Sequence, residues 1–108
     1  MFARSVTIRV KPNTIGEFNQ TLENEVLPLL RKQKGFRDEL CLIAQNGSEV
    51  VAISLWDRKE DAEAYQRGGY AEVQKLLSKV IEGTPRVQTY DVPLSTAHKQ
   101  AARHGAPA

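Results

Sequence analysis

Several residue types that carry metal or redox chemistry are scarce in this chain. It has one cysteine and two histidines, the latter at positions 98 and 104. Cys41 alone cannot close an internal disulfide, and without a CxxC pair or clustered His there is no structural zinc site. No metal and no bound cofactor is expected. No apolar run approaches the roughly 18 to 20 residues that a bilayer crossing needs, the longest being of the kind seen at Val50 to Trp56. The N-terminus lacks a charged-then-apolar leader, so the reading is a soluble, cytoplasmic protein with no membrane partner. Charge of one sign never accumulates. The 15 Lys and Arg and 13 Asp and Glu are interspersed and leave a formal +2, so no basic stripe exists to follow a phosphate backbone and nucleic acid is not expected as a partner.

What is present is one domain's worth of amphipathic pattern. With 108 residues, 41% of them hydrophobic, the chain is too short for two independent cores. Arg4 to Lys11 alternates, with Val6, Ile8 and Val10 on one side, and predicts the first strand. Pro12-Asn13 breaks it, and Thr14 to Glu17 has the spacing of a capping box. Ile15, Phe18, Leu22, Val26, Leu29 and Leu30 then form one helical stripe, interrupted by Pro28, which predicts a kink or a second short helical piece near 24 to 28. Gly35 ends that segment.

Phe36 to Gln45 and Glu49 to Asp57 flank Asn46-Gly47 and predict an antiparallel hairpin with a type I′ turn. Asp57 to Glu60 has the spacing of a second capping box, opening a helix with Ala62 and Tyr65 inward and a break at Gly68-Gly69. Tyr70 to Ile81 continues as helix, Gly83-Thr84-Pro85 reads as a stop, and Arg86 to Val92 is the last strand. The domain is placed at 1–93. Residues 94–108 lack large apolar side chains beyond Leu94 and read as a flexible tail, with His98 and His104 outside the packed region.

The order strand, helix, strand, strand, helix, helix, strand predicts an α+β, ferredoxin-like fold, βαββααβ, with a four-stranded antiparallel sheet and helices on one face. Val50 to Trp56 and Leu40 to Ala44 are apolar at successive positions, so the second face also calls for burial. A second copy would cover it by symmetry, making a homodimer built as a dimeric α/β barrel; the alternative is that these strands are merely central and the C-terminal tail covers that face.

Leu27-Pro28, Lys34-Gly35-Phe36 and the strand Ile53 to Asp57 running into Ala62 to Tyr65 resemble the antibiotic biosynthesis monooxygenase-like proteins of the dimeric α/β-barrel superfamily. The resemblance covers about residues 3 to 92. It implies a pocket between sheet and helices that binds a small acidic aromatic, favours its anion and lets that anion pass an electron to O2 without a cofactor. Trp56 matches a family site position, where its indole would stack on a flat substrate and donate to an oxyanion; a tryptophan there also serves as core. Tyr65 and Tyr70, flanking the helix break, would point hydroxyls into the same pocket or simply cap the core.

Haem-degrading members use an Asn on the first strand and a His on the second helical segment. Here that strand offers Thr7 and Arg9, and residues 58 to 83 hold no His, so haem degradation is not expected. Arg9 and Arg86 would neutralise an anion if they faced inward, and otherwise face solvent. Cys41 reads as a small buried hydrophobe. Glu60, Asp61 and Glu63 read as an exposed helix start, leaving no evident general base. An RNA-recognition module shares the strand order, but Lys34-Gly35-Phe36 precedes the second strand where that module's motif belongs on the third. Two functions remain from these residues: a cofactor-independent monooxygenase-like enzyme with Trp56, Tyr65 and Tyr70 at its site, or a non-catalytic dimeric barrel that binds a metabolite or serves in a stress response.

Overall fold

A computed structural model describes residues 1–97. β1 (Phe2–Val10) leads through α1 (Ile15–Thr21), a π-helical turn (Leu22–Val26) and α2 (Leu27–Arg31) into β2 (Phe36–Ile43) and β3 (Glu49–Trp56). α3 (Lys59–Arg67), α4 (Gly69–Leu77) and β4 (Ile81–Asp91) follow. The four strands form one antiparallel sheet in the order β2-β3-β1-β4, the ferredoxin-like α+β arrangement expected from the element order. The helices cover one face, and between them lies a core built on Phe2, Val6, Ile8, Phe18, Val26, Val50, Trp56, Tyr65, Val73 and Leu77.

Local chemistry explains where the elements break. Pro28 has no N–H to give to a preceding carbonyl, and the helix answers with a wide turn over Leu22–Val26 before restarting with the proline in its first turn. Gly35, at φ +78°, turns the chain into β2 with the Asp61 carboxylate packed against its α-carbon, leaving no room for a side chain. Gly68 divides α3 from α4.

Several local expectations give way to tertiary constraints. Neither capping box forms. The Thr14 hydroxyl donates back to the Lys11 carbonyl at 2.7 Å, and Asp57 pairs instead with Arg37 across the hairpin's end. The hairpin turn is not type I′, because Asn46 keeps a negative φ and only Gly47 is positive. The turn closes from the Gly47 N–H to the Ala44 carbonyl at 2.8 Å, while the Asn46 side chain accepts from the Ser48 N–H. α4 stops at Leu77 and Ile81 belongs to β4 rather than to the helix. Gly83-Thr84-Pro85, expected as a stop before the strand, lies within it. The register against β1 shifts there, between Thr7 and Arg9, so the glycine and proline make an irregularity in β4.

The open face of the sheet is apolar on one half only. Its rows run Asp38, Leu55, Ala3, Tyr90; then Leu40, Ile53, Ser5, Gln88; then Leu42, Val51, Thr7, Arg86. Leu40 and Leu42 are 50% and 48% exposed, and Tyr90 is 48% exposed. His98 and His104, with the rest of the expected tail from 98 onward, lie outside the described residues.

Candidate functional site

The site lies where the sheet's covered face turns polar. Register places Glu39 of β2 opposite Ser54 of β3, Ser54 opposite Arg4 of β1, and Arg4 opposite Thr89 of β4. This single polar row crosses the sheet beside the apolar row Cys41, Ala52, Val6, Val87, and directly beneath the α3–α4 junction. A cavity of about 40 Å³ opens over it. Its apolar wall includes Val6, Ile8, Phe18, Leu22, Val26 and Leu77, and its polar groups are Arg4, Glu39, Ser54, Tyr65, Tyr70 and Gln74. The π-helical turn contributes Leu22 and Val26, and the irregular start of β4 contributes Ile81 and Pro85.

Arg4 dominates the electrostatics. It is 3% exposed, and its guanidinium sits 4.1 Å from the centre of the Tyr70 ring and 5.2 Å from that of Tyr65. Nε donates to Gln66 Oε1 at 3.0 Å, a neutral acceptor. Among the described residues Arg4 makes no ion pair. A guanidinium stays charged at any working pH, so the cavity holds a desolvated positive charge whose closest partners are aromatic faces and an amide.

Glu39 is the sole carboxylate on the cavity wall. Burial pushes its carboxyl up to about 8, and the Arg4 charge only partly offsets that. At neutral pH it is mainly the neutral acid. Burial also raises the Tyr65 phenol above its ordinary value, with Arg4 pulling it down and Glu39 and Tyr70 adding to the rise, so Tyr65 stays a protonated donor. Cys41, next to Glu39 on the same face, is raised by burial and then by Glu39, as suits a half-buried thiol without a nucleophile's activation.

The structure brings Tyr65 and Tyr70 together, with ring centres 5.9 Å apart on the cavity wall. Trp56 stands one layer behind them and does not line the cavity. It is fully buried, its ring is 5.2 Å from Tyr65 and 5.6 Å from Phe36, and its N–H donates to Ser54 Oγ at 2.8 Å. That hydroxyl in turn donates to the Arg4 carbonyl at 3.3 Å, so Trp56 braces the polar row instead of offering a free donor. Arg9 and Arg86 are exposed, away from the cavity. Glu60 and Glu63 are exposed, but Asp61 is not: it is buried against Gly35 with Arg58 3.8 Å away.

Arg4 and Glu39 are the site residues that pattern reading misses. The signal for Arg4 is present, since it shares the parity of Val6, Ile8 and Val10 and is a charge at an inward position. Glu39 carries no such signal. A register shift between Phe36 and Asp38 reverses the alternation of β2, so that Phe36 and Glu39 face the same way.

Solved structures share this fold. An antibiotic biosynthesis monooxygenase-like protein of Bordetella bronchiseptica superposes with a TM-score of 0.73 at 15% identity, covering 84% of this chain and 95% of that one. The monooxygenase ActVA-Orf6 of Streptomyces coelicolor, solved with the ligand nanaomycin D, gives 0.68 at 23% identity over 82% of this chain and 84% of its own. SnoaB, a cofactor-independent oxygenase of Streptomyces nogalater solved as a point mutant, gives 0.73 at 14% identity over 90% and 97%. No match is found among curated proteins. The family model for antibiotic biosynthesis monooxygenases matches residues 1–83, from β1 through α4 to the first residues of β4, and the chain belongs to that family.

Proposed function

We propose that this protein is a cofactor-independent monooxygenase-like enzyme that acts on a small aromatic or polyketide-like molecule, working in the cytoplasm as a homodimer. One observation carries the reading: the buried Arg4 guanidinium, in no ion pair among the described residues, faces an apolar cavity roofed by two tyrosines. Such a charge favours the anion of an acidic phenol or anthrone over its neutral form, and the anion is the species that gives electrons to O2. Tyr65, protonated, and Tyr70 would donate to the developing oxyanion, while the aliphatic wall excludes water. Trp56, which the resemblance assigns to the site, would act through Ser54 and Tyr65 by holding the polar row in place. For an anthrone the overall change is a ring methylene plus O2 giving a ring carbonyl plus water, with one oxygen atom entering each product.

The open face supports the dimer. Leu40 and Leu42 stand beside half-buried Val51, Ile53 and Leu55, an apolar patch that a matching patch on a second copy would cover.

Incubation with a panel of anthrones and quinols under O2, followed by quinone absorbance and oxygen uptake, tests the reading. Turnover by the wild type, lost in Arg4→Met, is expected. Absence of turnover across the panel would remove it. A non-catalytic dimeric barrel, the second reading, is favoured by a different observation, the cavity's volume. At about 40 Å³ it is far below the roughly 300 Å³ that encloses a drug-sized ligand. A second space of about 100 Å³ lies on the Gln66 and Thr89 side and also has Arg4 in its wall. Tight binding of an aromatic without oxygen uptake would decide for the binding role.

A further inference from the structure

We propose that Glu39 is the catalytic base of this site, the group that takes the acidic proton from the bound aromatic before oxygen reacts. The inference rests on the reading of the cavity as one that receives an acidic aromatic. Its own support is geometric. Glu39 is the one carboxylate on the cavity wall, and it occupies the same polar row as Arg4, separated from it by Ser54. Its carboxyl forms no hydrogen bond or ion pair among the described residues, so its oxygens are not committed to structure. A proton leaving a substrate over Ser54 therefore has an acceptor on one side, and the charge left behind has a cation on the other.

The steps balance. An anthrone-type methylene loses a proton to a Glu39 carboxylate oxygen, and the C–H electron pair stays on the substrate as an enolate held by Arg4. The enolate carbon bonds to O2, which becomes a peroxide anion, and Glu39 returns its proton to the distal oxygen. Glu39 then takes the second C–H proton as the O–O bond breaks and the C=O bond forms. The departing hydroxide receives that proton and leaves as water. Carbon is oxidised by four electrons and O2 is reduced by four.

The groups that set when Glu39 is ionised are few. Burial raises its carboxyl to about 8 and Arg4 of β1 lowers it. From α3 and α4, Tyr65 and Tyr70 line the same cavity, where burial holds the Tyr65 phenol in its neutral form, and on its own strand Cys41 is a neutral thiol. The π-helical turn and the helices flanking it present Phe18, Leu22, Val26 and Leu30, none of which titrates. Neighbouring Asp38 lies opposite Leu55 on the open face. Glu39 is thus a base above pH 8 and an acid below it, close to the match between catalytic group and working pH that proton transfer favours.

The test separates proton removal from oxidation. Wild type and Glu39→Gln are mixed with anthrone without O2 in a stopped-flow spectrophotometer from about pH 6 to 10, and the absorbance of the anthrone anion is followed. Binding is measured in parallel by fluorescence quenching. The wild-type rate of anion formation is expected to rise through about pH 8, to fall about 10²-fold or more in Glu39→Gln with binding changed only a few-fold, and to recover in part in Glu39→Asp. Equal rates and equal pH profiles in wild type and Glu39→Gln, with anthrone bound by both, would overturn the base and leave the functional reading standing. Failure of the wild type to bind anthrone removes the functional reading and the base with it, whereas loss of binding in Glu39→Gln alone makes Glu39 a ligand-holding group and overturns the base.

Discussion

The two faces of the sheet use the same strands to opposite ends. On the covered face, the helices enclose a core in which a single polar row, Glu39, Ser54, Arg4 and Thr89, interrupts otherwise apolar packing. On the open face, the exposed Leu40 and Leu42 stand beside half-buried Ile53 and Leu55, and polarity increases toward β4. Polar groups under cover mark the place for chemistry, because desolvation makes a charge there strong. Apolar groups without cover mark the place for a partner. Arg4 and Arg9 show the same contrast within one strand: an odd number of residues apart, they fall on opposite faces, one buried under tyrosines and the other in solvent.

Placing one charge on each face is the strongest way to break this comparison. Val6→Asp buries a carboxylate among the helices and should cost about 4 kcal/mol, leaving little folded protein by circular dichroism. Leu42→Asp should leave the chain folded and weaken the proposed self-association about 10²-fold, read by sedimentation across a concentration series; an unchanged association would remove the open face as the interface. The arginines give the next contrast. Arg4→Met is expected to lower affinity for an aromatic anion about 10²-fold by calorimetry, whereas Arg9→Met stays within about twofold.

A smaller effect follows from Glu39. Its carboxyl is raised in the folded protein to about 8, so the folded state holds its proton over a range in which the unfolded chain has already released it. Its contribution is fully present below about pH 4.5 and is lost as pH rises through 8. Glu39→Gln should therefore gain stability over wild type by about 1 kcal/mol or more at about pH 9 and show no such gain at about pH 4, measured by urea unfolding. The smallest effect belongs to the exposed pair Arg37 and Asp57, at 52% and 43% exposure, where Arg37→Ala should cost under about 1 kcal/mol.

The order of strands and helices was legible because each segment's period matches its environment. The alternation in β1 and the stripe from Ile15 to Leu30 survive unchanged in the structure. Signals that depend on one or two residues fared differently. Thr14 and Asp57 have capping spacing, but the Lys11 carbonyl and the Arg37 guanidinium compete for the same side chains. Tyr65 and Tyr70 were readable as site candidates because they flank a glycine break that must sit at the end of the helical layer. Glu39 was hidden by the irregularity in β2, which no composition or period announces.

By itself, the sequence determined the ferredoxin-like framework, since hydrophobic period and turn residues act locally and each segment has few alternatives. Only the tertiary structure decided which polar side chains share the covered row, because a register shift in β2 and the stacking of two tyrosines over Arg4 arise between segments distant in the chain.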